Sequence, residues 1–121
     1  MGRFYQTFLS GWVWMLKHRN NAGNHSPSEP TPVRAHLYID GRVQGVAYRY
    51  FTQNVAASLG LTGWVRNLPD RRVEAVFEGD RGTIERAILM CHEGPPFARV
   101  THIETQWHEQ PEGLNDFRIL H

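Results

Sequence analysis

The alternation of apolar and polar residues begins at residue 33 and predicts a strand followed by a helix. From Val33 to Asp40 the apolar positions alternate with polar ones, as in a strand that buries one face, and the inward positions are Ala35, Leu37 and Ile39. Apolar residues then recur at helical spacing at Tyr48, Phe51, Val55 and Leu59. Gly60 follows, at the point where a helix end favours a residue in the left-handed conformation.

The second half of the chain predicts three more strands and one more helix. Thr62 to Leu68 and Arg72 to Glu78 have strand composition and flank the turn from Pro69 to Arg71, which is typical of a hairpin. An apolar helical stripe follows, formed by Ile84, Ala87, Ile88 and Cys91, and it ends at Gly94-Pro95-Pro96. Ala98 to His108 predicts a long strand with Ile103, Thr105 and Trp107 on one face. Phe117 to Leu120 predicts a short final strand.

The order strand, helix, strand, strand, helix, strand predicts an α+β fold. It is the ferredoxin-like split βαβ arrangement, in which two helices cover one face of an antiparallel sheet, here with a short extra C-terminal strand. This fold hosts many unrelated functions, so the arrangement alone does not select one.

Residues 1–32 differ in composition from the rest of the chain. Residues 18–32, HRNNAGNHSPSEPTP, have almost nothing to bury and predict a flexible linker. The aromatic segment before them, FYQTFLSGWVWML, has three open interpretations. It is a flexible tail or an artefact of an upstream start, with Met15 as the alternative start; a segment that docks on the core; or an amphipathic helix at a membrane surface. We therefore predict an N-terminal extension over residues 1–32 and one domain over residues 33–121.

Charge and cysteine content narrow the function classes. The chain has 121 residues and a formal net charge of +1, which gives no bulk attraction to nucleic acid or anionic membranes. Cys91 is its only cysteine, which excludes an intrachain disulfide. No stretch approaches the ~20 apolar residues needed to cross a bilayer, and no cleavage site follows the apolar segment from Phe8 to Leu16. The sequence predicts a cytoplasmic protein.

The loop between the first strand and the first helix carries the most informative chemistry. In DGRVQGVAYR, two glycines bracket a turn that leads into a helix with Arg49 in its first turn. Glycines allow consecutive backbone N–H groups to converge on one anion, and the helix start adds free N–H groups and a positive dipole end. An arginine beside them can bind the same anion in a bidentate, charge-assisted contact. A plain tight turn with a surface arginine is the alternative that the spacing leaves open.

Several separate motifs together resemble the acylphosphatase family. They are GRVQGVAYR, LGLTGWVRNLPD, VEAVFEG and GPPFARV, and the similarity covers about residues 33–121. The resemblance implies hydrolysis of acyl phosphates, which are carboxyl-phosphate mixed anhydrides, by a monomer that needs no cofactor or metal. It places the phosphoryl group on the loop amides and on Arg49, and it gives Asn67 the role of orienting the attacking water. The implied phosphate loop consists of Arg42, Val43, Gln44, Gly45 and Val46.

Two positions depart from the family pattern. The aromatic residue before the family's arginine is usually phenylalanine, and here it is Tyr48, whose hydroxyl we expect to reach solvent while the ring keeps its packing. The turn after Asp70 usually carries glycine, and here it carries Arg71. If this backbone needs a positive φ, an arginine there costs roughly 1 kcal/mol of stability.

Two functions from other classes are weighed against hydrolysis. RNA-recognition modules share the fold but carry basic and aromatic residues on a central strand, where this chain has the acidic segment RVEAVFE. We therefore expect no nucleic-acid partner. The other alternative is a non-catalytic phosphate- or carbamoyl-phosphate-binding domain. The remaining signals predict structure: Cys91 is expected to be a buried core thiol, and His102, Glu104 and His108 are expected to form a solvated strand face rather than a metal site.

Overall fold

The computed structural model describes residues 31–121. The predictions for residues 1–30 of the N-terminal extension lie outside this part of the chain. The elements are β1 (Val33–Arg42), α1 (Tyr48–Leu59), β2 (Thr62–Asn67), β3 (Val73–Gly79), α2 (Arg81–Glu93), β4 (Arg99–His108) and β5 (Phe117–Ile119). This order confirms the predicted βαββαβ arrangement and the short extra strand.

The five strands form one sheet in the order β4-β1-β3-β2-β5. The pairs among the first four strands are antiparallel, whereas β5 runs parallel to β2, so the sheet is mixed. The connection from β4 to β5 is anchored by the buried carboxylate of Glu78. This carboxylate accepts hydrogen bonds from the backbone N–H groups of Glu112, Gly113 and Leu114 at 2.6, 3.0 and 3.0 Å.

The core lies between one face of the sheet and the two helices. The inward residues of β1 are the three that the alternation predicts, and each is fully buried: Ala35, Leu37 and Ile39. The helices contribute Tyr48, Val55 and Ala56 from α1 and Ile84, Ala87 and Cys91 from α2. None of the helices within residues 31–121 is long and apolar enough to cross a membrane.

The opposite face of the sheet is polar and bears a hydrogen-bonded cluster. The carboxylate of Glu74 on β3 lies 2.6 Å from the His36 ring and accepts a 2.6 Å hydrogen bond from Arg66. Burial by itself raises the pKa of Glu74, but the two hydrogen bonds outweigh it, and the pKa lies below the usual value. Ring contacts of His36 with Tyr38 and Trp64 cover this cluster.

One end of the sheet gathers the segments that the sequence singles out. β1 and β2 are both antiparallel to β3, so they end at the same end of the sheet. β4 is antiparallel to β1 and therefore begins there. Three connections lie at this end of the sheet: residues 43–47, residues 68–72 and residues 94–98. We refer to these three segments, together with the two residues on either side of each, as the loop end of the sheet.

Candidate active site

Gly41 has a different role from the one that the sequence analysis predicts. It lies inside β1, where the pairing with β4 shifts register between Asp40 and Gly41. Its φ is +127°, and a Cβ atom there would lie 2.0 Å from the carbonyl oxygen of Arg99. Gly41 therefore permits the close approach of β4, and only Gly45, the second glycine of the pair, lies in the turn that the sequence predicts to bind an anion.

The loop after β1 alternates in backbone handedness. Gly45 has φ +75° and Ala47 has φ +64°, whereas Gln44 and Val46 have negative φ. Such alternation turns successive N–H groups toward one concave side, which is the geometry of an anion-binding nest. No atom lies within 4 Å of the position that a Cβ on Gly45 would occupy, so the space above this glycine is open.

The start of α1 leaves its backbone donors available. Ala47 is the N-cap residue and has no side chain that can cap the helix, and no acidic residue lies in the first turn. The hydrogen bond from the N–H of Phe51 to the carbonyl of Ala47, at 3.0 Å, is the first one of the helix. The N–H groups of residues 48–50 thus have no acceptor within the helix and form the positive end of its dipole.

Gln44 fixes the loop against the β2–β3 turn. Its side-chain amide donates 2.9 Å hydrogen bonds to the carbonyl oxygens of both Leu68 and Arg72. Asn67 directly precedes Leu68, so these bonds hold the loop next to the end of β2. The side chain of Gln44 is therefore occupied, and what this residue can offer an anion is its backbone N–H.

The two side chains that the resemblance marks as catalytic are both unpaired. Arg49 is the second residue of α1 and is half-buried. Asn67 is the last residue of β2, lies opposite Val73 and is exposed. Within residues 31–121, neither side chain forms a hydrogen bond or an ion pair. The loop end thus combines an uncommitted guanidinium, an uncommitted amide and a row of free N–H groups.

The prediction that the Tyr48 hydroxyl reaches solvent is wrong. Tyr48 is 1% exposed, and its hydroxyl donates a 2.7 Å hydrogen bond to the carbonyl of Cys91 near the C-terminus of α2. The carbonyl lies within reach of the hydroxyl because α2 packs against α1. Burial raises the pKa of Tyr48 well above its usual value and raises the pKa of Cys91 to about 12. Cys91 is a buried core thiol, as predicted, and is unsuited to act as a nucleophile at neutral pH.

The β2–β3 turn carries the strain that the sequence suggested. Arg71 has φ +79°. Its neighbour Asp70 accepts hydrogen bonds from the backbone N–H and the guanidinium of Arg72, at 3.1 and 2.9 Å. The backbone hydrogen bond is the main cause that lowers the pKa of Asp70. Asp70 is thereby committed to Arg72, and the charge of Arg71 has no partner within the described residues.

The candidate metal ligands on β4 do not form a site. His102, Glu104 and His108 are all exposed along the strand. Residues 31–121 contain no group of three or more histidine, cysteine, aspartate or glutamate side chains close enough to hold a metal ion.

Comparisons with known proteins identify the family of this chain. The acylphosphatase family model matches residues 35–119. An acylphosphatase of Thermococcus kodakarensis is 56% identical over 88 residues, which cover 73% of this chain and 96% of that protein. One from Nostoc sp. is 55% identical over 87 residues, which cover 72% of this chain and 85% of the relative. The crystal structure of the Bacillus subtilis acylphosphatase has a TM-score of 0.73 and 37% identity, over 74% of this chain and 99% of that one. The chain belongs to the acylphosphatase family.

Proposed function

We propose that Arg49, Asn67 and the loop from Arg42 to Val46 carry out the hydrolysis of acyl phosphates, the reaction of the family to which this chain belongs. The chain is an enzyme that splits a carboxyl-phosphate mixed anhydride into a carboxylate and inorganic phosphate. The observation that carries the assignment of the site is the unpaired Arg49 guanidinium at an uncapped helix start, directly after a loop that is open to space at Gly45.

The phosphoryl group binds on the loop amides and Arg49. The alternating φ signs at Gln44, Gly45, Val46 and Ala47 support a concave row of N–H donors. The uncapped start of α1 adds donors and a positive field. The planar guanidinium of Arg49 can bind two equatorial oxygens at once. These groups stabilise the charge that spreads over the three equatorial oxygens in the transition state.

Asn67 orients the attacking water. A carboxamide is neutral at every pH, so it can hold a water by hydrogen bonds but cannot take a proton from it. The substrate phosphate is therefore the proton acceptor. The leaving carboxylate of an acyl phosphate needs no general acid, because it is already a weak base. Placement of water in line with the breaking bond is then what the enzyme contributes at this position.

No cofactor or metal is part of this mechanism. We propose that the enzyme works as a monomer in the cytoplasm on a small-molecule substrate and has no nucleic-acid partner. The alternative of a non-catalytic phosphate- or carbamoyl-phosphate-binding domain is not favoured, because the acylphosphatases of the comparison match over 85% and 96% of their own length.

The first prediction separates the roles of Arg49 and Asn67. In excess chelator, the wild type is expected to hydrolyse benzoyl phosphate. Arg49→Ala should lose both phosphate binding and roughly 10³-fold of kcat/KM, because it removes a charged clamp on the transferring group. Asn67→Ala should lose roughly 10²- to 10³-fold of kcat and keep phosphate binding, measured by calorimetry.

Matched variants sharpen this test. Arg49→Lys should also fail, since a point charge does not reproduce the two-pronged contact. Arg118→Ala on β5 removes an exposed arginine elsewhere on the domain and should change neither quantity. An Asn67→Ala variant that retained most of its rate would refute the water-orienting role. A wild type that bound phosphate without hydrolysing benzoyl phosphate would support the binding-domain alternative.

A further inference from the structure

The unpaired arginines of residues 31–121 all lie at the loop end of the sheet. This part of the chain contains ten arginines. Five form ion pairs with carboxylates, namely Arg34, Arg66, Arg72, Arg81 and Arg118, and Arg86 also has a partner. The four whose side chains form no hydrogen bond or ion pair with the described residues are Arg42, Arg49, Arg71 and Arg99. The phosphoryl group accounts for Arg49, which leaves three arginines to explain.

Two of these three arginines line a cleft beside the phosphate loop. The cleft is open to solvent and is lined by Gly41, Arg42, Val43, Gln44 and Arg71. Neither Arg49 nor Asn67 is among its lining residues. The cleft shares Arg42, Val43 and Gln44 with the proposed phosphate loop. An acyl group that occupied this cleft would therefore lie next to a phosphoryl group held by the loop and Arg49.

The third arginine lies directly opposite the first. Arg42 and Arg99 are partners in the antiparallel pairing of β1 with β4. Residues opposite each other in this way have Cβ atoms roughly 4.5–5.5 Å apart, and like charges in such a pair destabilise the sheet. Arg71, across the cleft, occupies a left-handed conformation that disfavours every residue with a Cβ. The Arg42–Arg99 pair and the left-handed Arg71 each lower the stability of the fold, and both place positive charge beside the same cleft.

Nearby carboxylates do not neutralise this charge. Asp70 is hydrogen-bonded to Arg72. Asp40 lies two residues before Arg42 on β1 and is half-buried. Its single negative charge cannot neutralise the three positive charges of the arginines. The two hydrogen bonds of Gln44 hold the turn that carries Arg71 against the loop. The positive charges are therefore kept together by the fold.

We propose that Arg42, Arg71 and Arg99 form a second anion-binding site, which binds a negatively charged group on the acyl part of the substrate. This inference rests on the proposed function, since it places the phosphoryl group on the loop and Arg49. The favoured substrates are acyl phosphates whose acyl group carries a further anionic group. A bound carboxylate would offset the repulsion between Arg42 and Arg99.

Rigid aryl substrates test the proposal. Benzoyl phosphate is compared with 3-carboxybenzoyl and 4-carboxybenzoyl phosphate, which differ from it only by a second carboxylate that cannot attack the anhydride internally. At low salt, kcat/KM should be about tenfold higher for at least one carboxylated substrate, and the preference should shrink as the ionic strength rises.

Single variants test which residues cause the preference for carboxylated substrates. Arg71→Gly and Arg99→Gln should each reduce it severalfold while leaving kcat/KM for benzoyl phosphate within about twofold of the wild type. Arg71→Gly should also raise the melting temperature, because glycine relieves the positive φ. Arg118→Gln, the matched control on β5, should keep the full preference. Equal rates for all three substrates would overturn the proposal, as would a preference that survived unchanged in both variants.

Phosphonate binding separates this inference from the proposed function. Calorimetry with benzylphosphonate and its 3- and 4-carboxyl derivatives requires no turnover. Tighter binding of a carboxylated compound by a protein that hydrolysed no acyl phosphate would support the second site and refute the function. Hydrolysis of benzoyl phosphate with equal binding of the phosphonates would support the function and refute the second site.

Discussion

The two helices of this domain begin in opposite ways. At the start of α2, the N-cap Asp80 has an extended backbone, and its carboxylate accepts a 3.1 Å hydrogen bond from the N–H of Thr83. At the start of α1, the N-cap Ala47 has a left-handed backbone and no capping side chain. One helix start is completed by its own side chain, whereas the other leaves its donors open.

The difference distinguishes a structural helix start from a binding one. A carboxylate at an N-cap satisfies an orphan N–H and favours the helix dipole. In the site that we propose, the same carboxylate at the start of α1 would occupy the place of the substrate's phosphoryl group. At α2 the side chain of Asp80 stabilises the helix start. At α1 we expect the bound phosphoryl group to provide the corresponding stabilisation.

The largest expected effect comes from placing a cap residue at the open start. Ala47→Asp introduces a carboxylate beside the phosphate loop, and repulsion of the substrate should lower kcat/KM for benzoyl phosphate on the order of 100-fold. Aspartate tolerates the left-handed conformation, so the fold should persist in a thermal melt followed by circular dichroism. Ala47→Asn is the neutral control of the same shape and should lose far less activity. Equal losses in both variants would show that shape rather than charge is responsible.

The next largest effect is expected from removing the capping side chain at the start of α2. Asp80→Ala should lower the free energy of unfolding by about 0.5–2 kcal/mol, because it leaves the N–H of Thr83 without its partner. The melting temperature should fall by roughly 4–8 °C per kcal/mol. Activity on benzoyl phosphate at 25 °C should stay at the wild-type level. A large loss of activity in this variant would contradict the separation of the two starts.

The smallest expected effect is on stability and comes from relieving the left-handed backbone of Ala47 at the start of α1. Ala47→Gly removes a left-handed alanine, a relief of roughly 1–2 kcal/mol. The more flexible unfolded chain offsets about 0.4–1 kcal/mol of this gain. We expect a net stabilisation of about 0.5 kcal/mol in chemical denaturation. A destabilised variant would indicate that other contacts hold Ala47 in place.

The sequence predicted the elements because they leave local patterns, whereas the roles of Arg49 and Asn67 come from the family resemblance and stay predictions. The alternation in β1 and the helical spacing in α1 identify the elements, and Arg49 follows its loop at short range. The hydrogen bonds of Gln44 could not be predicted in this way, since the acceptors lie 24 and 28 residues further along the chain.

Other departures have the same kind of cause. Alanine carries no sequence signal for the left-handed conformation that Ala47 adopts. The burial of the Tyr48 hydroxyl depends on how α2 packs across α1, and the role of Gly41 depends on the approach of β4. Each is decided by a distant segment, and a local pattern contains no information about it.

The parallel pairing of β5 with β2 has a consequence for the solubility of the domain. Without β5, the backbone of β2 would be an open sheet edge, free to pair with another chain. Phe117 also stacks on Phe77 with the ring centroids 5.7 Å apart, and its loss would expose apolar surface beside that edge. Three residues, Phe117–Ile119, thus cover Gly63, Trp64 and Val65 of β2 and leave a short edge strand, which disfavours edge-to-edge aggregation.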